Sequence, residues 1–381
     1  YHSILRRLSA PGRRRVPQQE GSKASENIGS LPNGGDTAFG CSERERVEKP
    51  DQKYPAMIQT IKLHERKTMA KKPSTVKAVD KKAILITGAS SGMGFEAAKE
   101  LASQGHSVYG AARRVERMVP LTEYGVHTIE LDVTDEEMIH TLFMDHAPKA
   151  VIHMAALSDT AYCEAHPDDC EAVNYIGTLN VARAAAAVGA KLIYASSDQV
   201  YNGCTETGLL GEDVPLAPKG VYAALKYRTE CEVQELLPTA VGLRLSWMYD
   251  VPNSPLRQNH GLLLRLLEAA RSGVPFAASV NECRGITNVW QVVRRIEAAI
   301  ALPGGIYNFG SPNRCSTHDT VLEAARFMVA AGHLEAGNAS PVNAVEAPQR
   351  NLAMNLHRIE QFGLTFPDTI SGLKAALLHG A

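Results

Sequence analysis

Thr87-Gly88-Ala89-Ser90-Ser91-Gly92-Met93-Gly94 lies between an apolar run at 83–87 (AILIT) and a segment at 92–104 whose Met93, Ala97, Ala98 and Leu101 recur at helical spacing. The run predicts a buried strand and the spacing predicts a helix, so the glycines sit at a strand-to-helix junction. Each glycine has its own reason to be there. Gly88 allows the tight turn, Gly92 lets the backbone approach a pyrophosphate, and Gly94 lets the helix pack on the strand. The helix N-terminus adds free N–H groups and a positive dipole for phosphates, with Ser90, Ser91 and Met93 lining the same turn. Such spacing is weak evidence alone, but at a junction that opens a strand–helix series it predicts a dinucleotide site.

Outward from the turn, further strands are predicted at 107–111, 126–131, 151–154 and 192–195, with helical segments between them. That alternation implies right-handed βαβ units, hence an α/β fold of Rossmann type with a doubly wound parallel sheet. Beyond residue 246 come helices around 261–270, 290–299 and 317–331 and one strand at 305–309, a smaller C-terminal α/β lobe. The expected division is a dinucleotide-binding domain at 83–245 and a substrate lobe at 246–381, partly interleaved with it. Residues 1–82 are rich in Arg, Lys, Ser, Gly and Pro without apolar periodicity, which predicts a disordered extension. Met69 could be the natural start; alternatively, the Arg-rich, acid-free stretch 1–19 is a transit peptide. On the first reading, protein begun at Met69 keeps its stability and activity.

Lys and Arg number 40 against 41 Asp and Glu, a formal charge of −1, which gives no reason to expect nucleic acid or an anionic membrane as partner. No run approaches the roughly 18 consecutive apolar residues of a membrane span. The seven cysteines are scattered and odd in number, which suits a reduced, cytoplasmic compartment.

The end of the second strand reads Gly110-Ala111-Ala112-Arg113-Arg114, with no acid before Glu116. An acid there would hold a ribose 2′-hydroxyl, whereas Arg113 and Arg114 can hold a 2′-phosphate. NADP(H) is therefore favoured over NAD(H). After the third strand, Asp132, followed by Val133, is placed either to accept from the adenine amino group or to cap the next helix.

Tyr222 and Lys226 lie four apart on a predicted helix over Val221–Leu236 and so share a face. A Lys ammonium beside a phenol is expected to lower the Tyr pKa, as proton exchange with a carbonyl requires. Ser197, at a strand end 25 residues before Tyr222, can hydrogen-bond the reacting oxygen.

In this order, TGxxxGxG, the Asp132 turn, Ser197 and YxxxK resemble the short-chain dehydrogenase/reductase superfamily. Residues 150–381 resemble its extended branch, typified by dTDP-4-dehydrorhamnose reductase, through Val151-Ile-His-Met-Ala-Ala156, Val173-Asn-Tyr-Ile-Gly-Thr178, Ser196-Ser-Asp-Gln-Val-Tyr201, Leu243-Arg-Leu-Ser-Trp-Met-Tyr249 and Gly305-Ile-Tyr-Asn308. The resemblance implies that Tyr222 donates the proton, Lys226 holds the nicotinamide ribose and Ser197 polarises the carbonyl. It further implies that Ala155 and Ala156 line the cofactor, that Trp247 and Asp198 meet the sugar, and that the chain forms a homodimer. Asn259 and His260 open a helix, as cap or as sugar contact. Two features depart from the branch: the Gly88/Gly92/Gly94 spacing is that of classical members, and Arg284-Gly-Ile-Thr287 lacks the expected proline.

Within the superfamily, Gln199 cannot be the carboxylate base that sugar dehydratases resembling this region carry. The arginine pair argues mildly against an NAD-dependent epimerase. What remains is reduction of a keto group, with a nucleotide-diphospho-4-keto-6-deoxysugar as the expected substrate. A different class, a cofactor-binding regulatory subunit, is disfavoured by the complete Ser–Tyr–Lys set. No metal is expected, since Cys163-Glu-Ala-His-Pro-Asp-Asp-Cys170 lacks paired C-x-x-C spacing. His153 reads as a satisfied core histidine, and the alanines of 182–187 as close packing on the sheet or across a dimer.

Overall fold

The computed structural model describes residues 83–251, 261–335 and 341–379. Its main sheet is built from β1 (Ile84–Thr87), β2 (Val108–Ala112), β3 (His127–Glu130), β4 (Ala150–His153), β5 (Lys191–Ser197), β6 (Val241–Leu245) and β11 (Gly305–Phe309). All seven are parallel, in the order β11-β6-β5-β4-β1-β2-β3. This is the doubly wound sheet expected, and the order reverses between β1 and β4. A ligand crevice forms at such a switch point, outside the carboxyl ends of the strands.

Alternation along the buried strands supplies two cores, because successive side chains point to opposite faces. Ile84 and Ile86 face a core with Ala97, Ala98 and Leu101 of the helix Gly92–Ser103. Leu85, Val151 and Leu192 face the other, with Phe143 of the helix Glu136–His146 and Leu179 of the helix Gly177–Val188. In the alanine run, Ala182, Ala184 and Ala185 are buried in this second core, so these three pack on the sheet. Asp135 caps Glu136–His146 by accepting from Met138 N at 2.9 Å, with Glu136 and Glu137 favouring the same dipole end. Asp132 is therefore not the cap. Its Oδ1 accepts from Thr134 N and Oγ1 within the turn.

The remaining strands form two-stranded parallel ladders that the sequence did not suggest. β7 (Trp247–Tyr249) pairs with β10 (Ile286–Asn288), β8 (Phe276–Ser279) with β12 (Val342–Val345), and β9 (Glu282–Arg284) with β13 (Arg350–Leu352). A third core joins them to the helices Leu262–Ser272, Thr317–Ala330 and Thr369–Leu378. The single helix expected at 290–299 is two, Val289–Val293 and Ile296–Ile300. Between them Arg295 turns its guanidinium back to Gln291 O and across to Thr365 O. β11 leaves this lobe and closes on β6, which interleaves the lobe with the main sheet. Among the described residues, no helix is long and apolar enough to cross a membrane.

Candidate active site

The glycine turn is built by close approach. Gly88 sits at φ +73°, and a Cβ there would come within 2.6 Å of Ala155 N, so the turn presses on the end of β4. A Cβ on Gly94 would lie 2.5 Å from Gly88 O, which would drive helix and strand apart. Gly92, at φ +55°, faces open space, the room a phosphate cradle needs. Ser91 precedes the helix in an extended conformation without a side-chain cap bond, leaving the first-turn N–H groups for an anion. Ser90 and Met93 beside it are half-buried, as are Ala155 and Ala156 across the turn. These residues fit a dinucleotide.

Behind the turn, His153 bonds Thr87 Oγ1 at 2.7 Å and Thr178 Oγ1 at 3.0 Å, joining β1, β4 and the helix Gly177–Val188. Burial, with Lys226 nearby, lowers its pKa to about 3, so it is a neutral core residue. Arg113 and Arg114 are exposed just past β2, and Arg113 Nη1 lies 4.0 Å from Asp132 Oδ2. Val133 is buried, so it offers the crevice little beyond backbone.

Tyr222 and Lys226 occupy the helix Val221–Leu236, whose observed limits are those expected. Ser197 ends β5, accepts from Gln199 N at 3.2 Å, and lies close enough to Tyr222 to lower its pKa by hydrogen bonding. The three side chains that sequence spacing grouped therefore do converge. Lys226 is buried, its Nζ donates to Ala195 O at 2.9 Å, and burial lowers its pKa to about 8. The expected fall in the Tyr222 pKa is not found. Burial pushes the phenol up, beyond what Ser197 offsets, and Lys226 is turned toward the β5 carbonyl instead. Cys163 and Cys170 pack against Tyr222 in a small apolar cluster.

Asp198, expected at the sugar, is only 1% exposed, and both of its oxygens are engaged. Ser197 Oγ donates to Oδ1 at 3.3 Å, and Arg284 Nη2 donates to Oδ2 at 2.8 Å. Arg284 also lies over the half-buried Trp247 ring, 5.3 Å from its centroid. Asn259 and His260 fall outside the described residues. Sequence reasoning missed Arg284 as a site residue and missed the buried pair Arg244–Glu230, 2.6 Å apart, whose carboxylate also accepts from Ser196 Oγ at 2.6 Å. An arginine amid the apolar residues of 240–245 was the available signal for the second.

A family model described as the RmlD substrate binding domain matches residues 82–369. The chain is 25% identical over 289 residues to methionine adenosyltransferase 2 subunit beta of Bos taurus, covering 74% of this chain and 82% of that protein. It is 32% identical over 166 residues to a dTDP-4-dehydrorhamnose reductase of Streptomyces griseus, covering 43% of this chain and 49% of the relative. Among solved structures, a dTDP-4-dehydrorhamnose reductase from Bacillus anthracis in complex with NADP superposes with TM-score 0.65 at 22% identity, covering 80% of this chain and all of that one. A UDP-glucose 4-epimerase from Thermus thermophilus complexed with NAD gives 0.63 at 23% identity, with 78% and 98% covered.

Proposed function

Since the chain belongs to the family of the RmlD substrate binding domain, we propose that it is an NADP(H)-dependent reductase of a keto group on a nucleotide-diphospho-4-keto-6-deoxysugar. The observation that carries this is the convergence of Ser197, Tyr222 and Lys226 beside a glycine turn that fits a dinucleotide. The dTDP-4-dehydrorhamnose reductases among its relatives support the substrate class.

The turn, through Gly88, Gly92, Gly94 and the N–H groups after Ser91, holds the pyrophosphate, with Ala155 and Ala156 as its floor. Arg113 and Arg114 hold the 2′-phosphate, which selects NADP(H), and Asp132 meets the adenine. When bound, the dinucleotide supplies the hydride. Ser197 orients the carbonyl oxygen, and Tyr222 Oη gives that oxygen its proton, leaving an alcohol and a phenolate. Burial keeps the proton on Tyr222 until the developing alkoxide demands it. Lys226, with its Nζ 5.8 Å from the Tyr222 ring centroid, holds the nicotinamide ribose and acts on the phenolate only through its field at that distance. Trp247 packs on the sugar. A second reading, a subunit that binds the cofactor and regulates another enzyme, has the bovine relative in its favour; the complete Ser–Tyr–Lys set weighs against it.

Exposed Ile176 and Leu236 at the ends of adjoining helical segments offer apolar area for a homodimer. Six free cysteines among the described residues suit a cytoplasmic site. The deciding measurement titrates NADPH and NADH by fluorescence and then assays the 4-keto sugar nucleotide. Tight NADPH binding, weak NADH binding and turnover are expected. Binding of neither cofactor overturns the proposal, and NADPH binding without turnover favours the regulatory reading.

A further inference from the structure

Asp198 stands beside Ser197 and takes two donors of unequal strength. The Arg284 bond, at 2.8 Å, has the length of a charge-assisted pair. The Ser197 bond, at 3.3 Å, is long against the ~2.7–2.8 Å usual between oxygens. A serine hydroxyl has one proton, and it cannot serve both Asp198 and a reacting carbonyl. We propose that Arg284 is a positioning residue for Ser197: by holding Asp198, it keeps the serine proton free for the reacting oxygen.

This inference rests on the reductase reading and adds a residue that acts from the opposite lobe. Asp198 is buried beyond the reach of bulk water; burial raises its pKa and Arg284 is the chief group that lowers it. Above that pKa, a carboxylate stripped of Arg284 draws on the nearest remaining donor. That donor is Ser197. Glu282, two residues before Arg284 on β9, would compete for the guanidinium, but it is paired with Arg350 and accepts from Thr317 Oγ1. Trp247 beneath the guanidinium helps hold it in place. Arg284 is therefore left to Asp198.

The test combines structure and kinetics on the full chain. In a crystal structure of Arg284→Met, the Ser197 Oγ–Asp198 Oδ1 separation should close to ~2.7 Å. An unchanged separation overturns the proposal whatever the substrate. In turnover, Arg284→Met should lower kcat by about 100-fold while KM stays within about threefold, the pattern of a lost transition-state donor. Adding Asp198→Asn should restore at least about tenfold, since a neutral amide competes weakly for the serine proton. A higher KM at unchanged kcat, or no rescue, would make Arg284 a plain substrate contact. Should Arg284→Met not fold, Arg284→Gln carries the same test: the separation should close to ~2.7 Å and kcat should fall with KM held within about threefold, and an unchanged separation overturns the proposal. Absence of turnover by the wild type counts against the reductase reading, whereas the crystallographic separation still judges Arg284.

Discussion

Tyr222 and Lys226 share one face of a helix, yet burial moves their protons in opposite senses. It holds the phenol protonated and lowers the ammonium pKa to about 8. Tyr222→Phe should therefore reduce turnover by at least about 100-fold while NADPH affinity, followed by fluorescence, stays within about twofold. Lys226 gives a pH dependence with two signs. Its folded pKa lies below the unfolded value of 10.5, so between pH 8 and 10.5 the unfolded chain binds more protons and stability should rise with pH. The rise is on the order of 3 kcal/mol by the pKa difference. Turnover should instead fall about the folded pKa, near pH 8, where the native ammonium is lost, and melting curves and initial rates together check both signs. At this scale the sequence was most legible where a residue's role depends on local spacing. Tyr222 and Lys226 fall on one face whatever surrounds them, but the direction of the Tyr222 shift depends on burial, and Asp198 meets an arginine 86 positions away.

Among elements, the long strands and helices could be read from their apolar periods, and Val221–Leu236 was placed to the residue. The short ladders β7–β10, β8–β12 and β9–β13 could not, because three- or four-residue strands carry too little pattern and each takes its partner from far along the chain. The joint between β5, β6 and the helix Val221–Leu236 is likewise non-local. Arg244 on β6 meets Glu230 on the helix, Glu230 meets Ser196 on β5, and Arg244 Nη1 also reaches Tyr201 Oη at 2.7 Å. Arg244→Met should cost about 3–5 kcal/mol, since it leaves a buried carboxylate without its cation. Adding Glu230→Leu should recover most of that in chemical denaturation. Failure to recover would mean that the joint depends on more than charge pairing. Gly94→Ala tests a second joint. Its Cβ would strike Gly88 O, so about 1–3 kcal/mol of stability should be lost together with NADPH binding.

For the whole molecule, the governing feature is that β11, from the C-terminal half, forms an edge of the main sheet beside β6. The sequence showed an apolar strand at 305–309, but nothing local to it says which sheet it joins. A fragment of residues 83–245 should therefore fail to accumulate as a folded, cooperatively melting unit, whereas 83–381 should melt as one. On a ribosome the same arrangement sets a timetable. At about 5–20 residues per second, β6 is finished roughly 3–13 s before β11. Throughout that interval the nascent chain carries an open, apolar strand edge, and holding chaperones and self-association compete for that edge until residue 309 emerges.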